Sequence, residues 1–307
     1  MVAIDVANFT KRYGDVTVTD GLSFTVEEGE VFGFLGPNGA GKSTTINCLL
    51  DFSRPTSGDL SVLGLDARAD SKAIRQRTGV LPEGYEPYPR LTGRQHIEFA
   101  MESKDIDGDP DVILERVGIA DAADRKAEGY SKGMAKRLGL GMALVGEPEL
   151  LILDEPTSGL DPNGAREMRQ IVTAEHARGA TVFFSSHIME QVEAVCDRVG
   201  ILRDGEMVAI DTVAGLRKKV GTALLHVTVD RLDETVVDAL ESVPDVVAVE
   251  ARMREGVPTI TVETDGSKTA VLSTIEDTGL SVHDFDTERA SLEDVFHAYT
   301  TETEVVA

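Results

Sequence analysis

The sequence predicts an α/β fold with a largely parallel sheet, followed by a smaller α+β domain. Two observations point to the first part: a glycine-rich turn between an apolar strand and a helix at 31–52, and an apolar run ending in two carboxylates at 150–155. The third is a change of pattern after about residue 216 to the order β-α-β-β-α-β. With 307 residues, the chain is long enough for one large and one small domain.

Alternating or continuous apolar runs predict the strands of the first domain. These strands are expected at 3–6, 22–26, 31–35, 58–63, 78–81, 150–154, 181–185 and 199–202. Helical spacing predicts helices at 42–52, 92–104, 110–118, 132–146, 162–178 and 188–196. The helices within about 88–146 fall between two strands of the core and form a helical insertion. We therefore expect a first domain at 1–216.

The remaining 221–307 are predicted to form an accessory or regulatory domain. Strands are expected at 224–230, 246–253, 258–264 and 281–287, with helices at 233–243, 268–278 and 291–301. This order matches the ferredoxin-like split unit. The segment has no glycine-rich phosphate loop and no cluster of ligand residues, so the chemistry is expected in the first domain.

The turn after the third strand fits the phosphate-loop pattern G-x-x-x-x-G-K-[ST]. Its glycines allow the main chain to close around a phosphate, and the following helix N-terminus favours an anion. Lys42 is expected to reach the β- and γ-phosphates, and Ser43 to bind Mg²⁺. The predicted nucleotide-binding residues are Gly36, Pro37, Asn38, Gly39, Ala40, Gly41, Lys42, Ser43 and Thr44.

Two carboxylates follow the apolar strand at 150–154. A strand buried on both faces would bring Asp154 to the carboxyl edge of the sheet, beside the phosphate loop. Asp154 is then expected to hold Mg²⁺ together with Ser43, and Glu155 to polarise the attacking water as general base. An acidic turn at a strand end, without catalysis, is the alternative.

Further motifs occur in the order typical of one family. They are Lys11-Arg12-Tyr13-Gly14, Tyr130-Ser131-Lys132-Gly133-Met134, Ser158-Gly159-Leu160-Asp161 and His187. With the phosphate loop and the two carboxylates, the chain resembles the nucleotide-binding subunit of an ABC transporter over residues 1 to about 215. The resemblance implies a phosphate-loop ATPase cassette with a mixed sheet core, an antiparallel β subdomain and a helical insertion. It also implies that the chain hydrolyses ATP with Mg²⁺ and drives a separately encoded membrane permease.

The resemblance implies a role for each motif. Two subunits, most simply two copies of this chain, would pair head to tail, so that Ser131 and Gly133 of one meet the ATP held by the other. His187 would contact the γ-phosphate, Tyr13 would stack on adenine, and Asp161 belongs to the D-loop.

Two departures from the family pattern stand out. Lys132 and Met134 replace the second and fourth residues of the Ser-Gly-Gly-Gln signature. Glu83 occupies the place of the usual glutamine that touches Mg²⁺ and the water. A carboxylate can also bind Mg²⁺, and a solvated loop glutamate is the alternative.

Short matches favour an exporter. Residues 286–299 resemble the C-terminal segment of ATPases from drug- and ion-exporting systems of the daunorubicin-resistance type. Part of the signature region also resembles the ATPase of a copper-processing system. The competing functions are a soluble ABC ATPase acting on ribosomes or DNA, and a nucleotide-sensing scaffold without turnover.

The charge of the chain argues against nucleic acid as a partner. The net charge is −24, from 54 acidic and 30 basic residues, and such a surface repels phosphate backbones. This acidity resembles that of proteins from halophilic archaea, in which salt screens self-repulsion. Two distant cysteines suit a reducing compartment. With no signal pattern and no apolar run of spanning length, we expect a cytoplasmic protein, peripheral on the inner face of the membrane.

Overall fold

The structure is a computed structural model that describes residues 1–220, 223–233, 235–254, 256–264, 266–288 and 296. The chain forms two compact units, Met1–Val213 and Ala214–Ala307. Across these described ranges, no helix is both long and apolar enough to cross a membrane.

The first unit contains two of the three described sheets and most of the described helices. Its strands are β1 (Val2–Tyr13), β2 (Val16–Glu27), β3 (Val31–Leu35), β4 (Ser57–Val62), β5 (Leu65–Asp66), β6 (Thr78–Leu81), β7 (Leu150–Asp154), β8 (Thr181–Ser186), β9 (Arg198–Arg203) and β10 (Glu206–Thr212). Its helices are α1 (Lys42–Leu49), α2 (Ser71–Arg77), α3 (Gly93–Lys104), α4 (Pro110–Arg116), α5 (Lys132–Leu144), α6 (Pro162–Ala177) and α7 (Met189–Glu193), and α8 (Val213–Val220) follows at the boundary.

Two sheets form the core of this unit. A six-stranded sheet has the order β10-β9-β3-β8-β7-β6, with β10 antiparallel to β9 and the other neighbours parallel. The other is antiparallel, in the order β2-β1-β4-β5. The predicted combination of a mixed sheet, an antiparallel subdomain and a helical insertion is therefore confirmed.

An aromatic cluster packs the two sheets together. Phe24 of β2 lies within 5.4–6.1 Å, between ring centroids, of Phe32, Phe34 and Phe183 on β3 and β8. Phe32, Phe34 and Phe183 are fully buried, and stacked aromatic rings add to the apolar burial. Strand β3, which leads into the phosphate loop, is thus fixed by its packing against β2.

Close backbone packing attaches the helical insertion to the core. A Cβ at Gly79 of β6 would lie 2.1 Å from the Ala143 carbonyl oxygen of α5, and one at Gly139 would lie 2.6 Å from the Tyr85 ring. At both positions only glycine lets α5 approach this closely. Helix α5 therefore lies directly on the edge strand of the main sheet.

The second unit is a four-stranded antiparallel sheet with helices on one face. It contains β11 (Ala223–Val229), α9 (Thr235–Glu241), β12 (Val246–Arg254), β13 (Val257–Thr264), α10 (Lys268–Asp277) and β14 (Val282–Glu288). The strand order β12-β13-β11-β14 is that of the predicted ferredoxin-like unit. The predicted helix at 291–301 lies outside the described residues except for residue 296.

Some elements were not predicted from the sequence. Helix α2 has a single buried side chain, Ile74, so its amphipathic pattern is too weak to recognise. Strands β1 and β2 are longer than predicted because register shifts interrupt their alternation, for example between Val6 and Phe9.

A buried ion pair joins the insertion to α6. Arg116 of α4 donates from Nε and Nη2 to the two carboxylate oxygens of Glu175, whose residue is 3% exposed. Arg77 makes the same two-pronged contact with Glu149, but those side chains are 40% and 56% exposed. The two pairs share one geometry and differ in burial.

This difference predicts unequal effects of removing the carboxylate. Glu175→Gln should lower the free energy of unfolding by about 3 kcal/mol, because the guanidinium stays buried without its counter-charge. Glu149→Gln, the matched exposed control, should lower it by less than about 1 kcal/mol. Urea unfolding followed by circular dichroism measures both. Equal losses would show that burial of the Arg116–Glu175 pair has no energetic consequence.

Candidate functional site

The phosphate loop leaves a fully buried strand and enters a helix. All residues of β3 are buried, and α1 begins at Lys42 directly after Gly41. A Cβ at Gly36 would lie 2.6 Å from the Leu202 carbonyl oxygen. Gly41 has φ of 108°, and a Cβ there would lie 2.8 Å from Thr19 Cγ2. These two glycines are therefore required by close approach and, at Gly41, by a positive φ.

The loop lines a cleft of about 400 Å³ that also receives two carboxylates. Its walls are formed by Val18, Asn38, Gly39, Gly41, Lys42, Ser43, Thr44, Glu83 and Glu155. Lys42 Nζ donates to the carbonyl oxygens of Gly36 at 2.7 Å and Pro37 at 3.2 Å. Within the loop, the Ala40 side chain is buried. The predicted loop residues, Glu83 and Glu155 thus lie in or directly around one cleft.

The carboxyl ends of three parallel strands meet beside this cleft. Asp154 pairs with Ser185 in the β7–β8 register, and Leu35 pairs with Ser186 in the β3–β8 register. Asp154 is 4% exposed and accepts a hydrogen bond from Ser185 Oγ. The Glu155 N–H donates to the carbonyl oxygen of Ser185 at 3.2 Å. Ser185 thus fixes both carboxylate residues.

Glu155 has an unusual backbone and a buried side chain. Its φ is 49°, a conformation that costs a non-glycine residue about 1–3 kcal/mol and that marks functional sites. Its carboxylate Oε1 lies 2.9 Å from His187 Nδ1 and 3.5 Å from Lys42 Nζ. Neither carboxylate oxygen, nor His187 Nδ1, has a hydrogen-bond partner of suitable geometry.

This arrangement fits a divalent cation with a polyphosphate. Ser43 and Glu83 line the cleft and Asp154 ends the strand beside it, and their hydroxyl and carboxylate oxygens are the kind of ligand that Mg²⁺ prefers. The Lys42 ammonium and the amides at the start of α1 supply the positive charge for a phosphate.

Tyr13 lies at the end of β1 and is 51% exposed. Its hydroxyl is 3.2 Å from Ser53 Oγ, and the Lys11 ammonium lies 4.4 Å from the ring centroid. Tyr13 is not among the residues that line the phosphate cleft, all of which lie in the fully described 1–220. An exposed ring of this kind is available for stacking.

The signature and D-loop residues form a second cleft of about 420 Å³. Ser131 caps α5 by accepting from Met134 N at 3.2 Å, and Asp161 caps α6 by accepting from Gly164 N at 2.7 Å. Gly133 lies between them on the same lining. Within one chain, the linings of the two clefts have no residue in common.

Sequence analysis missed two residues at this site, Ser185 and Lys136. Ser185 lies near the carboxyl end of the buried strand β8, two residues before His187, and a polar residue at that edge is the signal that could have identified it. Lys136 is 4% exposed and its Nζ donates to the Glu155 carbonyl oxygen at 3.2 Å. A lysine on an amphipathic helix is normally assigned to the solvent face.

Two family models match this chain. A model described as ABC transporter matches residues 19–158, and one described as the C-terminal domain of ATP-binding protein DrrA1-3-like matches residues 212–300. The first match lies within the first compact unit, and the second covers most of the second unit.

Curated relatives and a solved structure agree with these matches. Linearmycin resistance ATP-binding protein LnrL of Bacillus subtilis (strain 168) is 36% identical, over 79% of this chain and 80% of the relative. Daunorubicin resistance ATP-binding protein DrrA2 of Streptomyces coeruleorubidus is 34% identical, over 96% and 94%. Nod factor export ATP-binding protein I of Rhizobium meliloti (strain 1021) is 41% identical, over 68% and 64%. The solved structure of an ATP binding subunit of an ABC transporter aligns with a TM-score of 0.65 and 27% identity, over 71% of this chain and 92% of that one.

The contacts of Ser185 predict a role in metal affinity. Ser185→Ala removes the donor to Asp154 and should weaken Mg²⁺-dependent ATP binding by about tenfold, as for other residues that orient a metal ligand. Isothermal titration calorimetry of ATP at several Mg²⁺ concentrations measures this change. Ser186→Ala, whose hydroxyl accepts from Ile188 N at 3.0 Å, is the control and should bind normally. Unchanged Mg²⁺ dependence in Ser185→Ala would contradict the assignment.

Proposed function

The chain belongs to the family of ABC transporter ATP-binding subunits, and on that premise we propose that it energises export through a separate membrane permease. ATP hydrolysis that drives transport is the activity of the family. The observation that carries the export proposal is the match to DrrA2 across nearly the whole of both chains. The relatives are named for resistance to linearmycin and daunorubicin and for export of Nod factor.

The contacts in the phosphate cleft support a separate role in hydrolysis for each of three residues. Lys42 balances charge on the β- and γ-phosphates, since its ammonium is held at the loop by two carbonyl oxygens. Glu155 accepts a proton from the attacking water as general base. His187, with Nδ1 beside Glu155 Oε1, orients that water and contacts the γ-phosphate.

We assign the metal to the same cleft. Ser43, Asp154 and Glu83 are the residues that would hold Mg²⁺, and the ion would neutralise charge on the phosphates. Glu83 is exposed and lines the cleft, so its carboxylate is available to the ion. Tyr13 would stack on the adenine ring.

We further propose that two copies pair head to tail. Ser131, Gly133 and Asp161 line a cleft separate from the phosphate loop of their own chain, and the N-terminus of α5 at this cleft favours an anion. A second copy would bring this cleft to the γ-phosphate. The dimer would act on the inner face of the membrane, with residues 221–307 as an accessory domain. The net charge of −24 argues against nucleic acid as a partner, because such a surface repels phosphate backbones.

Lys42 and Glu155 should have separable effects. Lys42→Ala should weaken ATP binding about tenfold or more, because a charge-assisted hydrogen bond contributes about 1.5–3 kcal/mol. Glu155→Gln should keep ATP binding and lower turnover by about 10² or more, as expected for removal of a general base. It should also accumulate as an ATP-bound dimer. Turnover assays, nucleotide titration and gel filtration with Mg-ATP measure these changes.

The exposed Lys72 of α2 provides the control for charge. Lys72→Ala should bind and hydrolyse ATP as the wild type does, because Lys72 lies on the surface outside the cleft. Near-normal turnover in Glu155→Gln would remove Glu155 from the role of general base.

The charge of the chain leads us to propose a salt-adapted protein, of the kind found in halophilic archaea. Residues 221–307 alone carry 19 acidic and 5 basic residues. Screening of their repulsion increases as the Debye length falls from about 10 Å at 0.1 M to about 3 Å at 1 M salt. The melting temperature should therefore rise clearly over this range of KCl. A flat melting profile would contradict salt adaptation without affecting the ATPase assignment.

A further inference from the structure

We propose that Lys136 is a positioning residue for hydrolysis, which holds the main chain of Glu155 and ties it to the helix that carries the signature motif. The proposal rests on the proposed role of Glu155 as general base. Lys136 is not itself among the residues that line either cleft, so it would act through its contact with Glu155.

The Lys136 side chain is buried and directed at one atom. It lies on α5, is 4% exposed, and its Nζ donates to the Glu155 carbonyl oxygen at 3.2 Å. Burial lowers the pKa of Lys136, as does the neighbouring Lys132, whereas Glu83, Asp154 and Glu155 oppose this change. A buried ammonium is retained only where it is hydrogen-bonded and faces opposite charge, which is the case here.

The hydrogen bond from Lys136 is made to the main chain of Glu155, which has a strained conformation. Glu155 has φ of 49°, and its N–H is fixed by Ser185. Its carbonyl oxygen accepts from two donors, Ser158 N at 3.2 Å and Lys136 Nζ at 3.2 Å. A non-glycine residue keeps such a conformation only when its surroundings over-determine it. Lys136 supplies the contact from the helical insertion.

Helix α5 connects this contact to the signature motif. Ser131 caps the N-terminus of α5, and Lys136 follows five residues later, about 7.5 Å along the same rigid helix. In the proposed dimer, Ser131 meets the ATP bound by the second copy, whereas Lys136 holds the general base of its own copy. Movement of α5 on binding the second copy's ATP would therefore reach Glu155 through Lys136.

The test compares substitution of Lys136, which contacts Glu155, with substitution of a lysine that contacts main-chain carbonyl oxygens away from the site. Lys136→Met keeps the length of the side chain but removes the donor. Its kcat for ATP should fall about 10–100-fold, as expected for a misplaced catalytic group, with KM within about threefold of wild type. Lys136→Arg, which keeps a charged donor, should recover most of the kcat.

Lys104→Met is the matched control. Lys104 is part-buried, and its Nζ likewise donates to main-chain carbonyl oxygens, those of Thr78 and Val145 at 3.2 and 3.0 Å, away from the site. It should lower the melting temperature and leave kcat near that of wild type. Lys136→Gln, a shorter donor, is the second variant should Lys136→Met not fold, and its kcat should lie between those of Lys136→Met and wild type.

Each other outcome overturns the proposal. The first is a wild-type kcat in folded Lys136→Met, or in folded Lys136→Gln if the Met variant does not fold. The second is an equal loss of kcat in Lys136→Met and Lys104→Met. The third is a loss of kcat that is as large in Lys136→Arg and Lys136→Gln as in Lys136→Met. Glu155→Gln, assayed in parallel, distinguishes failure of this proposal from failure of the proposed general-base role of Glu155. If Glu155→Gln stays active, the general-base role fails; if it is inactive while Lys136→Met has wild-type kcat, only the Lys136 proposal fails.

Discussion

The main-chain conformation of Glu155 is the constraint on which the site depends. With φ of 49° at the end of β7, the chain turns so that the carboxylate lies beside Lys42 and His187 instead of continuing along the strand. The Ser185 contacts hold its N–H, and Ser158 and Lys136 hold its carbonyl oxygen. Parallel strands, the D-loop and the helical insertion thus converge on one residue.

The phosphate cleft and the signature cleft are separate within one chain. The phosphate cleft is lined by the loop, Glu83 and Glu155, and the signature cleft is lined by Ser131 and Asp161, with no residue in common. In the proposed mechanism, one copy therefore carries the parts of a hydrolytic site in two separate places. Pairing of two copies would bring these parts together, and a rigid α5 would link the two ATP sites.

Sequence patterns predicted the parts that depend on local order. The strand, glycine turn and helix around Lys42, and the apolar strand before Asp154, are contiguous signals, and the structure confirms these elements. The contacts of Ser185 and Lys136 were not predictable, because they join residues about 20–30 positions apart whose pairing depends on β-strand register and on packing of α5. The positive φ of Glu155 could not be predicted from the sequence either, since it is imposed by those contacts.

A crystal structure of the Glu155→Gln variant with Mg-ATP tests the central claim most directly. The account predicts that residue 155 keeps a positive φ, with its carboxamide at about 2.6–3.2 Å from a water facing the γ-phosphate. It also predicts that Ser131 of a second copy contacts that phosphate. A residue 155 in extended conformation with its side chain turned away, or a γ-phosphate bound entirely within one copy, would contradict the account.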